Sequence, residues 1–174
     1  RALERLASYR PPWPVPKLFR LTNKDGILRD VFEGVTINTP SMLCVEDYLD
    51  ALSWAEGLGG IDATIARART TASILYDWIE RAPWVAPLAA DPRTRSQTSV
   101  AMRFAEPALV NASEGVRLDV MRTLVRLLEA EGAAFDIAAY RGMPAGLRIW
   151  CGTTVESQDI AALLPWLEWG YAKA

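Results

Sequence analysis

In the run Ile37-Asn38-Thr39-Pro40-Ser41-Met42-Leu43-Cys44-Val45-Glu46-Asp47-Tyr48-Leu49-Asp50-Ala51-Leu52, an extended segment gives way to a helix. Thr39 belongs to the residue class that caps a helix start, and Pro40 suits the first helical position, where its missing N–H would have no partner in any case. Met42, Val45, Leu49, Leu52 and Trp54 carry the helix forward. Gly57, Gly59 and Gly60 stop it, because glycine takes the left-handed backbone of a helix end without strain. That glycine cluster reads as a hinge.

Upstream of this run the chain is short-range and punctuated. Arg1 to Tyr9 has the spacing of a helix, with Leu3, Leu6 and Ala7 on one face and no capping residue ahead, so a beginning cut from a longer helix is expected. Pro11, Pro12, Pro14 and Pro16 flank Trp13 and Val15 and force an extended connector. Lys17 to Thr22 and Ile27 to Glu33 are apolar-rich runs on either side of Asn23-Lys24-Asp25-Gly26, a pattern that predicts a β-hairpin.

Downstream, a second helix is expected from Asp62 to about Arg81, with Ile65, Ala68, Ala72, Leu75, Trp78 and Ile79 as its inward stripe. The stretch Pro83 to Pro92 is proline-broken, and Gln97 to Phe104 alternates like a half-buried strand. Ser113 starts another helix bearing Val116, Val120, Leu124, Leu127 and Leu128, with Gly132 past its end. Phe135 to Tyr140 and Leu147 to Cys151 read as strands joined by the loop Arg141 to Gly146. A last helix runs from Ser157 to about Tyr171, where Pro165 should kink or split it. The sum is an α+β fold, a small antiparallel or mixed sheet with helices packed on it.

Composition narrows the function. The 174 residues are 51% hydrophobic and 23% charged, with seven tryptophans, which suits a folded domain and not a disordered one. A net charge of -2 from 19 basic and 21 acidic side chains gives no broad positive field for nucleic acid. No apolar run is long enough to span a bilayer and no secretory pattern opens the chain, so a soluble cytoplasmic protein is expected. Cys44 and Cys151 lack metal or disulfide spacing and are expected to be buried, reduced thiols. The sequence contains no histidine, which excludes Ser-His and Cys-His nucleophiles within it.

Anion-binding groups are the chemistry that remains. Thr39, the amides after Pro40 and the Asn38 side chain would make a phosphate site at a helix N-terminus, although an ordinary cap followed by proline accounts for the same letters. Arg141 and Arg148 bracket a strand loop, and alternation puts Arg148 on the face opposite Leu147 and Ile149, where a buried guanidinium would demand an anion; a solvated strand face is the equal alternative. Arg93 and Arg95 are expected at the surface, acidic pairs such as Glu129 and Glu131 are read as solvated charge, and the tryptophans are read mostly as packing.

The run from Phe32-Glu33-Gly34 through Ile37-Asn38-Thr39-Pro40 to Leu52 resembles the phosphoserine aminotransferases of the bacterial and archaeal subgroup. So do Gly146-Leu147-Arg148-Ile149-Trp150-Cys151-Gly152 and Pro14-Val15-Pro16-Lys17-Leu18-Phe19-Arg20-Leu21-Thr22. Asn-Thr-Pro alone is shared more widely among class V aminotransferases. The resemblance implies the C-terminal portion of a homodimeric fold-type I enzyme, α/β overall, that uses pyridoxal 5'-phosphate. Such an enzyme interconverts phosphoserine and 2-oxoglutarate with 3-phosphohydroxypyruvate and glutamate in serine biosynthesis. It further implies that Asn38 and Thr39 reach the cofactor phosphate of the other subunit and that Arg148 binds the substrate carboxylate. Arg141 is the candidate for the substrate phosphate, with a different arginine spacing from the familiar form and Tyr140 where that form has histidine.

By this resemblance residues 1–42 are the end of the large cofactor domain and connector, 43–60 an interdomain helix, and 61–174 the small C-terminal domain. The Schiff-base lysine of the family lies upstream of the proline-rich segment. Lys17, Lys24 and Lys173 are the only lysines and none has a desolvated setting, so the chain alone is expected to be inactive. Two alternatives stay open: another class V enzyme, serine-pyruvate or alanine-glyoxylate aminotransferase, and a non-catalytic dimerisation or binding domain.

Overall fold

The turn expected around Lys24 and Asp25 forms in the computed structural model, which describes residues 1–174 except for the side chain of Leu3. After a first helix, α1 (Ala2–Ser8), strand β1 (Thr22–Asn23) pairs antiparallel with β2 (Gly26–Ile27), Thr22 opposite Ile27. Asn23 Oδ1 accepts from the Asp25 N–H at 2.8 Å, and Gly26 takes a φ of 118° that other residues would resist. The arms are much shorter than expected, because Lys17–Phe19 and Arg29–Glu33 are 3-10 turns and not strand. A lone pair of strands has too little ladder to hold long extended arms. The inward face expected at Leu3 lies outside the described side chains.

Helix α2 (Met42–Gly57) starts later than the sequence suggested. Ser41 is the cap: its Oγ accepts from the Cys44 N–H at 3.5 Å and its carbonyl from the Val45 N–H at 3.1 Å. Thr39 is therefore not the cap, and Pro40 precedes the helix instead of opening it. A hydroxyl just beyond the proline offers the same hydrogen bond, while proline keeps the residue before it extended. α2 runs from one compact unit, Arg1–Trp54, into the start of a second, Ala55–Ala174. Among the described residues of the first unit no side chain is fully buried.

The second unit has a continuous core. α3 (Gly60–Ile79) follows a left-handed Gly59, φ 107°, and buries Ala68, Thr71, Ala72, Leu75, Trp78 and Ile79. Ile65, expected in that stripe, is exposed, so burial begins nearly a turn later. Strands β3 (Val85–Pro87), β4 (Ser99–Phe104) and β5 (Gly146–Trp150) form an antiparallel sheet in the order β3-β4-β5. β3 was hidden by its prolines; it is an edge strand, where a missing N–H is tolerated.

Between β4 and β5 lie α4 (Pro107–Val110) and α5 (Glu114–Ala130), the latter capped as expected by Ser113, whose Oγ accepts from the Val116 N–H at 3.3 Å. Phe135 to Tyr140 is not the full strand expected. Asp136 turns left-handed, φ 53°, and backbone pairing with β5 begins after it, through the Arg148 N–H to Ile137 O at 2.7 Å and the Ala139 N–H to Gly146 O at 3.2 Å. The last helix, α6 (Ser157–Lys173), passes through Pro165 without splitting. Proline removes one hydrogen bond there, while buried Ile160 and Leu167 anchor the helix on either side.

α6 packs on both α3 and α5. Trp78 and Trp84 donate their indole N–H groups to the two carboxylate oxygens of Glu168, at 2.8 and 2.9 Å, and Trp84 stacks on Tyr171 with centroids 4.1 Å apart. Tyr171 in turn donates to Glu106; burial first, then that carboxylate, pushes its hydroxyl pKa up. Trp13, Trp54, Trp150 and Trp166 are exposed, against the packing role expected of the tryptophans.

The two thiols part company. Cys151 is buried, and desolvation pushes it up to about 12, whereas Cys44 is exposed, contrary to expectation. At pH 8, iodoacetamide should label Cys44 in the native chain and leave Cys151 unmodified until denaturant is added. Peptide mass spectrometry reads this directly, and native labelling of Cys151 would contradict the burial.

Candidate functional site

β5 alternates as a half-buried strand should, so Leu147 and Ile149 enter the core and Arg148 leaves on the opposite face, paired in register with Ala101 of β4. Its side chain is nevertheless only 11% exposed. The Tyr140 ring covers one face of the guanidinium, with Cζ 4.2 Å from the ring centroid. Arg148 Nη2 donates to Asp136 twice, to the backbone O at 3.1 Å and to Oδ2 at 3.0 Å. Nε is the one buried side-chain polar atom without a partner among the described residues. A charged group desolvated to this degree, with an N–H unmet, is costly unless something else accepts from it.

Tyr140 also begins the loop that walls a cavity of about 610 Å³ against α5. Three arginines line it, and two are occupied. Arg117 Nη1 donates to the carbonyls of Leu109, Val110 and Ala112, and Arg122 pairs with Asp119. Arg141 is exposed and has no hydrogen-bond or ion-pair partner among the described residues. The loop turns at Gly142, φ 86°. Tyr140 is thus common to both expected arginines, stacked on Arg148 and lining the cavity with Arg141.

Asn38 and Thr39 belong to the first unit and are exposed. The segment is held locally by Thr36 Oγ1, which donates to Asn38 O at 2.7 Å. With Ser41 taking the Cys44 N–H, the amides of Met42 and Leu43 remain without acceptors among the described residues, as in the first turn of any helix. Arg93 is exposed as expected and grips Asp91, whose carboxyl that side-chain hydrogen bond holds below its usual range. Arg95, expected at the surface, is half-buried over the Tyr76 ring. Sequence reasoning missed Asp136; a positive-φ aspartate just before a strand pairing leaves little trace in the letters. Lys17, Lys24 and Lys173 are all exposed, and no group of metal-ligating side chains exists among the described residues. Nor is any described helix long and apolar enough to cross a membrane.

The fold is that of known aminotransferases. The structure superposes on phosphoserine aminotransferase from Bacillus circulans subsp. alkalophilus with a TM-score of 0.70 and 22% identity, over 91% of this chain and 39% of that one. On the pyridoxal-phosphate-bound enzyme from Trichomonas vaginalis the TM-score is 0.68 at 18% identity, over 91% of this chain and 40% of that one. The helices and small antiparallel sheets thus share an α+β fold with part of those enzymes. No family model matches the chain. In sequence it is 43% identical over 171 residues to phosphoserine aminotransferase of Methanosarcina mazei, covering 98% of this chain and 44% of that protein. The figures are the same for Methanosarcina barkeri, and the Rhodococcus jostii protein is 25% identical over 172 residues. Over nearly its whole length the chain is thus similar in sequence to phosphoserine aminotransferases. It spans less than half the length of the curated relatives it matches.

Proposed function

We propose that this chain is the C-terminal part of a homodimeric, cytoplasmic phosphoserine aminotransferase. The reaction is transamination between O-phospho-L-serine and 2-oxoglutarate, giving 3-phosphohydroxypyruvate and L-glutamate, in serine biosynthesis. The observation that carries the reading is Arg148, a nearly buried guanidinium with an unmet Nε proton on one strand face. Such a group is made to take a carboxylate in two-pronged fashion, and the substrate α-carboxylate is that anion. Arg141, the unengaged arginine of its cavity, takes the substrate phosphate. Residues 1–42 close the large domain and connector, 43–60 form the interdomain helix, and 61–174 the small domain.

The residues present fit one end of pyridoxal phosphate. Asn38, Thr39 and the free amides of Met42 and Leu43 suit the cofactor phosphate of the partner subunit, because unpaired N–H groups and the helix dipole favour an anion. The other end needs a desolvated amine, and the three lysines here are exposed, so that amine comes from residues this chain does not span and the chain alone does not transaminate. When bound, the cofactor supplies an electron sink for the bond broken at the substrate α-carbon.

Steady-state assay of the full-length protein with phosphoserine and serine as donors tests the reading. Phosphoserine should be preferred by about 100-fold in kcat/KM, as two charge-assisted hydrogen bonds would give. Equal use of the two donors removes the role of Arg141 and favours a serine-pyruvate or alanine-glyoxylate type of enzyme.

A further inference from the structure

A guanidinium offers two edges to a two-pronged anion, Nε with Nη2 and Nη1 with Nη2; its third side is blocked by Cδ. Nη2 belongs to both. In Arg148 that shared nitrogen is the one Asp136 holds, through its backbone O and its Oδ2. Tyr140 covers one face of the plane, so an incoming anion is directed to an edge. A carboxylate that grips Arg148 with both oxygens must therefore share Nη2 with Asp136.

We propose that Asp136 is a built-in competitor for the anion edge of Arg148, its carboxylate resting on Nη2 until a substrate carboxylate displaces it. This rests on the reading of Arg148 as a carboxylate receptor. Three features make the exchange favourable. The Asp136 side chain is 91% exposed, so water rehydrates its carboxylate as it leaves. Its backbone O, at 3.1 Å, stays behind to steady the guanidinium. A substrate carboxylate on the Nε/Nη2 edge also satisfies the buried Nε proton, which Asp136 does not reach. The left-handed backbone at Asp136, φ 53°, is what turns both its oxygens toward one nitrogen; among non-glycine residues aspartate and asparagine take it most readily. Asp136 is therefore a positioning residue that sets affinity: it keeps the receptor aligned while empty and weakens every two-pronged anion by the same factor.

The test uses the full-length protein loaded with cofactor and calorimetric titration with glutarate, a dicarboxylate that does not react. Asp136→Asn keeps the left-handed backbone and removes the charge; its glutarate dissociation constant should fall about threefold, the scale of an exposed ion pair. KM for 2-oxoglutarate should fall with it. Asp136→Gly, which removes the carboxylate and relieves the backbone, should tighten binding as well. Glu131→Gln, a neutralised acid five residues earlier, should leave it unchanged. Unaltered or weaker binding in both Asp136 variants, or equal tightening in Glu131→Gln, overturns the proposal while leaving the receptor reading intact. Glutarate binding by Arg148→Met at wild-type strength overturns both.

Discussion

Replacing Gly146 with alanine is expected to destabilise the second unit by about 3 kcal/mol, at the upper end of what overpacking costs. Gly146 opens β5 opposite Arg103 of β4, and an added Cβ would lie 2.0 Å from the carbonyl oxygen of Met102 and 3.0 Å from the Arg103 Cα. Those atoms are backbone of the central strand, so no rotamer change relieves the clash; β4 and β5 must separate. Gly170→Ala is the matching control. Its Cβ would lie 2.7 Å from Leu128 Cδ1, the end of a flexible side chain, and alanine regains about 1 kcal/mol of helix preference over glycine. Urea denaturation should show a lower midpoint at unchanged slope for Gly146→Ala and a near-native midpoint for Gly170→Ala. Equal midpoints for the two would mean that the strands do not approach as closely as described. Because Arg148 follows two residues after Gly146, a shifted strand would also misplace the guanidinium.

The helices of the second unit were legible because burial there follows a simple period. Ala68, Ala72, Leu75 and Ile79 in α3, and Met121, Leu124 and Leu128 in α5, recur at helical spacing and are buried, and Ser113 marks its helix start with a hydroxyl that does cap it. The errors came where local signals competed. Thr39 and Ser41 both offer a capping oxygen on either side of Pro40, and composition does not say which will be used. β3 is a strand only because β4 lies beside it; its prolines argue against strand in isolation, and their tolerance depends on an edge position set by the whole sheet. The hairpin fell short in the opposite sense, with apolar-rich arms that find no third strand.

In the site, alternation alone placed Arg148 on the face opposite Leu147 and Ile149, and that much was correct. What alternation does not give is depth. The guanidinium is buried by Tyr140 and held by Asp136, residues 8 and 12 positions earlier that return to β5 through a left-handed turn. A single positive-φ aspartate has no period to betray it. Nor does sequence distinguish Arg141 from Arg117 and Arg122, which share its cavity but are spent on helix-end carbonyls and on Asp119.

Arg148→Met in the full-length protein is expected to lower kcat/KM about 200-fold, equivalent to roughly 3 kcal/mol, the scale of losing a buried, hydrogen-bonded charge partner. Stability should respond in the opposite way to what a structural strut would show. The present arginine holds a desolvated charge with one N–H unpaired, and methionine fills the same space beneath Tyr140 without that cost, so folding should change by less than about 1 kcal/mol and in either direction. Asp136 loses little, since its carboxylate already faces water. Arg148→Lys separates charge from geometry: it keeps the positive charge but not the planar fork or the stack, and it should fall between the two, about tenfold below wild type. The decisive pairing is activity against denaturation midpoint for the same variants. A methionine variant that unfolds easily yet retains kcat/KM would make Arg148 a brace for the Asp136 turn, and the carboxylate would have to be gripped elsewhere. A stable variant with lost kcat/KM, and a lysine variant between, is the pattern that only an anion receptor produces.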